Sequence, residues 1–146
     1  MKIDSLGHVV LKVTDLARSE QFYTGVLGMS VVARYDDKGY KMTFFSLGKH
    51  HDLALMQVSG EQATGGDDAV GLHHVAFRIG DSMDQLIEAK AHLDAAGVAS
   101  SPTDHDVTKS LYFDDPDGNT LELYVDVSEA WRSEPQRIAT VEPLEL

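Results

Sequence analysis

The chain has 146 residues, 42% hydrophobic and 25% charged, which are values of a folded globular domain rather than a disordered chain. Its formal net charge of -12 would repel phosphate backbones, so no nucleic-acid partner is expected. The absence of cysteine removes disulfides, thiolate metal sites and cysteine nucleophiles together. Met1-Lys2-Ile3-Asp4-Ser5 forms no apolar signal region and no run has the length of a membrane span. A cytoplasmic protein with no membrane partner is therefore the expectation.

A first strand is predicted over about residues 6–13. Asp15 is placed to cap a helix carrying Leu16, Phe22, Tyr23, Val26 and Leu27 at helical spacing, with Gly28 to end it. Runs rich in aromatic and β-branched residues then predict strands at about 30–35, 40–47 and 52–58. The polar, glycine-rich stretch at 61–70 reads as a linker. Beyond it a strand is predicted at 72–79 and a helix at 82–96, with Met83, Leu86, Ile87 and Leu93 inward and Gly97 at its end. Strands at about 110–113 and 119–125 follow. The remainder, with Trp131 and two prolines, reads as an irregular tail packed on the surface.

The chain repeats itself. Gly7-His8-Val9-Val10-Leu11-Lys12-Val13 returns as His73-His74-Val75-Ala76-Phe77-Arg78-Ile79, sixty-six residues later. Each copy opens a βαβββ unit, so the expected fold class is α+β: one domain over 1–126 made of module one (1–60), the linker (61–70) and module two (71–126), with a tail at 127–146. Adjacent strand residues face opposite sides, so only one of His73 and His74 can line a cavity; matching the copies pairs His8 with His74. On the last strand Glu122 shares a face with Tyr124, opposite Leu121, Leu123 and Val125, and a carboxylate there is costly to bury unless paired or metal-bound. Two histidines and one carboxylate on strands form the donor set of a facial triad with open positions. The bland alternative leaves Glu122 in water and both histidines hydrogen-bonded in the core. The same offset puts Met56 opposite Glu122 in module one, so the symmetric position lacks a second carboxylate.

The phrases Gly7-His8-Val9-Val10-Leu11, Phe22-Tyr23-Thr24-Gly25-Val26-Leu27-Gly28-Met29 and Asp115-Pro116-Asp117-Gly118-Asn119 resemble the vicinal-oxygen-chelate superfamily over residues 1 to about 126. That superfamily includes glyoxalase I, fosfomycin- and bleomycin-resistance proteins and type I extradiol dioxygenases. The resemblance implies two modules forming a partly open mixed β-barrel around a divalent metal, with His8, His74 and Glu122 as ligands. Within it, His50-His51-Asp52-Leu53-Ala54-Leu55 is similar to a stretch of the extradiol branch. Tyr112, ten residues before Glu122, matches that branch's tyrosine. His105 stands seven before Tyr112 where about nine is usual, a departure needing a two-residue deletion.

The resemblance thus implies Fe(II), with Mn, Zn or Ni as alternatives, and extradiol cleavage of a catechol-like aromatic by dioxygen in a homodimer. His51, His105 and Tyr112 are its expected catalytic residues, since the chemistry moves protons at neutral pH. Against these roles stand a surface hairpin turn for His51, an exposed loop for His105 and plain sheet lining for Tyr112. Lys12 and Arg78, on the ligand faces, either neutralise a substrate anion or reach solvent. The rival functions are a glyoxalase-like lyase or isomerase and a non-catalytic drug-binding resistance protein.

Overall fold

In the computed structural model, which describes residues 3–60 and 70–146, Asp15 separates the first strand from the first helix. Its side chain accepts from the Arg18 amide at 3.0 Å, satisfying one of the free donors at the start of helix α1 (Leu16–Gly25). The helix ends at Gly25, earlier than the apolar spacing suggests. Val26 and Leu27 form a last turn on the Phe22 carbonyl, and Gly28, at φ 66°, lets the chain reverse so that the Met29 amide reaches the Tyr23 carbonyl at 2.9 Å. Ser19 and Tyr23 are the helix residues that become buried.

The chain divides into two units, Met1–Asp68 and Ala69–Leu146. The linker predicted at 61–70 lies outside the described residues except for Val70. In the first unit, β1 (Val9–Val13), β2 (Ser30–Asp37), β3 (Tyr40–Ser46) and β4 (Leu53–Gln57) form one sheet in the order β1-β4-β3-β2. Only β1 and β4 run parallel, with Val9 beside Leu53 and Val10 beside Ala54. Leu11, Val13, Tyr23, Phe45, Leu53 and Leu55 make its core. Period-two alternation leaves Val10 and Lys12 on the other face.

The second unit repeats the plan with β5 (Val75–Gly80), helix α2 (Met83–Ala95), β6 (Ser101–Asp104), β7 (Thr108–Asp114) and β8 (Thr120–Asp126). Ser82 and Gln85 close a capping box at the start of α2. Gln85 reaches back so closely over Gly80 that a Cβ there would lie 2.0 Å from its Oε1 and would displace the Gln85 amide. The helix buries Leu86 and Leu93, but Ile87 is 49% exposed, contrary to the inward position predicted for it. Ile87 follows Leu86 by about 100° around the helix, beyond the narrow stripe that this sheet covers.

Two elements differ from the sequence expectation. Strand β6 was not predicted: Ser101-Pro102-Thr103-Asp104 lacks apolar alternation and is a strand because it pairs with β7. The tail is ordered. After 3₁₀ turns at Ala130–Arg132 and Pro135–Ala139, β9 (Glu142–Pro143) pairs with β6, giving the sheet order β5-β8-β7-β6-β9. The fold is α+β, with a four-stranded and a five-stranded sheet and one principal helix per unit.

Candidate metal centre

In the second unit, β5 and β8 are parallel neighbours with Ala76 beside Glu122. That register brings the residue preceding β5 to the carboxylate: His74 Nε2 lies 3.1 Å from Glu122 Oε2. Glu122 is 6% exposed, and its other oxygen, Oε1, accepts from Ser110 Oγ at 2.5 Å. His73 and His74 meet Nδ1 to Nδ1 at 2.7 Å. With Nε2 aimed at the carboxylate, His74 carries its Nδ1 proton toward His73 when it acts as a neutral ligand, the arrangement that orients a coordinating imidazole. Of the two adjacent histidines, His74 is the one that meets Glu122.

Tyr112 sits directly across from Glu122 in the β7–β8 register, with its ring edge-on to His74 at 5.3 Å. Burial first, then the charge of Glu122 and a hydrogen bond to it, push the phenol up to about 12. It therefore stays protonated near neutrality. Its hydroxyl is also 3.0 Å from His105 Nε2, which accepts the phenolic proton or donates to the phenol oxygen according to its tautomer. His105 is half-buried, and its Nδ1 lies 2.7 Å from the Thr140 carbonyl. The seven-residue spacing does not keep it from Tyr112.

In the first unit His8 is exposed and packs ring to ring on His51, with centroids 4.3 Å apart. His51 closes the β3–β4 hairpin loop, half-buried between His8 and Phe44 and paired with His50 Nδ1 to Nδ1 at 2.7 Å. The loop is tied by Leu47 N donating to Asp52 Oδ2 at 2.7 Å and by Ser46 Oγ donating to the Lys49 carbonyl at 2.6 Å. Burial, with the neighbouring His8 and His50, lowers the His51 pKa below that of an ordinary imidazole, against a smaller opposing effect of Asp52.

The register corrects one expectation. Glu122 pairs with Ala76, and the matching pair in the first unit is Val10 with Ala54, so Ala54, not Met56, occupies the equivalent position. The second unit has two more residues between its first and last strands than the first unit has. The first-unit position still carries no carboxylate. Arg78 is engaged by Asp126, Nε to Oδ2 at 2.5 Å, with Asp81 at 4.0 Å. Lys12 is exposed.

Within either unit, among the described residues, no three His, Asp or Glu side chains gather into a group that could hold an ion. The donors of the second unit nonetheless suit one. An imidazole nitrogen and a buried carboxylate oxygen converge from parallel strands, a mixture that borderline divalent cations accept. Sequence reasoning missed Ser110, although its place two residues before Tyr112 puts it on the same strand face. It also missed the Thr140 carbonyl, a backbone group for which the sequence holds no signal.

Residues 5–123 match the family described as Glyoxalase/Bleomycin resistance protein/Dioxygenase superfamily. The chain is 36% identical over 126 residues to biphenyl-2,3-diol 1,2-dioxygenase 3 of Rhodococcus globerulus, covering 83% of this chain and 63% of that enzyme. It thus spans less than two thirds of that relative's length. It is 26% identical over 121 residues to a probable lactoylglutathione lyase of Synechocystis sp., covering 81% of this chain and 92% of that protein. A glyoxylase/bleomycin resistance protein/dioxygenase domain from Frankia sp. superposes with a TM-score of 0.72 at 26% identity, over 86% of this chain and 99% of that one.

Proposed function

The chain belongs to the Glyoxalase/Bleomycin resistance protein/Dioxygenase superfamily, and from that premise we propose that it cleaves a catechol-like aromatic with dioxygen in the extradiol manner. In this reading His8, His74 and Glu122 hold Fe(II); Mn, Zn and Ni suit the same donors. When bound, the ion supplies Lewis acidity and electron transfer toward dioxygen.

The protein's own part is placement and proton movement. Tyr112 keeps its proton at neutral pH and donates to a substrate oxygen. His105 presents Nε2 beside that hydroxyl and accepts the proton that a catechol releases on binding. His51, seated against His8, exchanges a proton on the dioxygen side. Ser110 and His73 hold the two ligands of the second unit in orientation. Both atoms of dioxygen end in the ring-opened product, so no external reductant is required.

The observation that supports this reading is the run of contacts from His105 through Tyr112 to Glu122 beside His74, a proton-handling set next to the candidate ligands. A second reading, a glyoxalase-like lyase or isomerase, is favoured by coverage: the chain spans 92% of the Synechocystis protein but 63% of the dioxygenase.

Oxygen uptake by the anaerobically Fe(II)-loaded protein, mixed with catechol and ring-substituted catechols, tests the proposal. It expects one dioxygen consumed per ring opened and a new visible absorption band. Turnover of a thiohemiacetal without oxygen supports the second reading instead. Ligand binding without turnover of either substrate points to a binding protein.

A further inference from the structure

We propose that the carboxy-terminal segment 135–143, which lies beyond the family match, is a positioning element that locks His105 with its proton on Nδ1 and its Nε2 as an acceptor facing Tyr112.

Among the described residues, His105 Nδ1 meets a single group, a main-chain carbonyl of the tail. The Thr140 carbonyl, 2.7 Å away, can accept but never donate, so Nδ1 carries the proton. In the neutral ring Nε2 then holds a lone pair 3.0 Å from the Tyr112 hydroxyl, whose proton it shares with Glu122 as the second acceptor. A free imidazole in water has the opposite preference, with the proton mostly on Nε2. That form would donate toward Tyr112 and could accept nothing from it. The tail carbonyl thus decides whether the ring can take a proton on the side of Glu122.

The carbonyl is held where it is by attachments on both sides. Arg137, three residues before Thr140, forks onto Asp106, the residue after His105, with Nε–Oδ2 2.5 Å and Nη2–Oδ1 2.8 Å. Glu142 and Pro143 pair with Asp104 and Thr103. The His105 loop is equally fixed: Asp106, at φ 63°, donates its amide to Asp104 Oδ1 at 2.6 Å, the Lys109 ammonium grips the same carboxylate, and His105 N donates to the Thr108 carbonyl at 3.0 Å. In the left-handed conformation, which aspartate tolerates better than most L residues, Asp106 presents its carboxylate to Arg137 of the tail. Among the described residues, neither attachment includes a candidate metal ligand.

Its catalytic consequence rests on the proposed function, but the tautomer itself needs neither metal nor substrate. The test is long-range 1H–15N correlation spectroscopy of the full-length, metal-free, 15N-labelled chain at a pH where the ring is neutral. The expected result is a protonated-type Nδ1 and an unprotonated-type Nε2 for His105. Arg137→Ala should convert the ring to a mixture dominated by Nε2–H. Asp106→Gly, which keeps the positive φ and removes both acceptors, cuts the same clamp from the loop side and gives the same shift should Arg137→Ala fail to fold. An Nε2–H ring in the unaltered chain, or an unchanged Nδ1–H population in the folded variants, overturns the proposal. The predicted tautomer in a chain that consumes no oxygen with any catechol upholds it while removing the dioxygenase reading.

Discussion

Ser110 Oγ donates to Glu122 Oε1 at 2.5 Å across the β7–β8 pair, leaving the other carboxylate oxygen facing His74. A buried carboxylate needs such partners, and losing one costs about 1.5–3 kcal/mol for a hydrogen bond to a charged group. Ser110→Ala should lower the unfolding free energy by about that amount in urea titrations. If Glu122 is a ligand, divalent-metal affinity should fall by about 10–100-fold, as for other outer partners of metal ligands.

Glu20 on α1 gives the first unit an acid-sensitive clasp. It accepts from Arg34 Nη2 at 2.6 Å and Nε at 2.9 Å and from Thr43 Oγ1 at 2.7 Å. The Arg34 hydrogen bonds hold its carboxyl below the usual glutamate range, despite an opposing effect of burial. A carboxyl with a depressed folded-state pKa contributes stability that is complete above the unfolded value and is lost as pH falls through the folded one. Glu20→Gln should therefore reduce the melting temperature at neutral pH and flatten its decline below about pH 4.5. Parallel melting curves for the two proteins across that window would contradict this.

The helix face of the second unit is testable by contrast. Leu93 is 1% exposed and Ile87 49%. Leu93→Ala should cost about 2–5 kcal/mol, whereas Ile87→Ala should stay within about 0.5 kcal/mol of the parent, both read from denaturant midpoints.

These residues also mark how far the sequence can be read. The opening strands and both helices follow from short-range periodicity, because alternation and capping are written into adjacent residues, whereas the preference for His74 over His73 also needs the match between the two copies. Ile87 was misplaced because periodicity gives an apolar arc but not how much of it the sheet covers. Met56 was matched to Glu122 because a constant offset ignores two extra residues in the second unit; only the strand register reveals Ala54. Strand β6 exists through its neighbours, and the Thr140 carbonyl acts through main chain, so side-chain types announce neither. The carboxy-terminal segment is ordered by Arg137 reaching Asp106, 31 positions away, a partnership that composition does not encode.

His51 separates catalysis from metal binding. Packed on His8 but outside the proposed ligand set, it should be dispensable for holding the ion. His51→Phe keeps the ring contact and removes the proton carrier. Turnover of the Fe(II)-loaded variant should drop by about 10²–10⁴-fold with its metal content unchanged.

The most direct test of the account is the equilibrium divalent-metal content of the purified chain, measured beside Glu122→Gln, His74→Ala and His8→Ala. One ion per chain in the parent, lost in all three variants while their circular dichroism is retained, is the predicted result. Full metal content in Glu122→Gln or in either histidine variant would contradict the proposed ligand set.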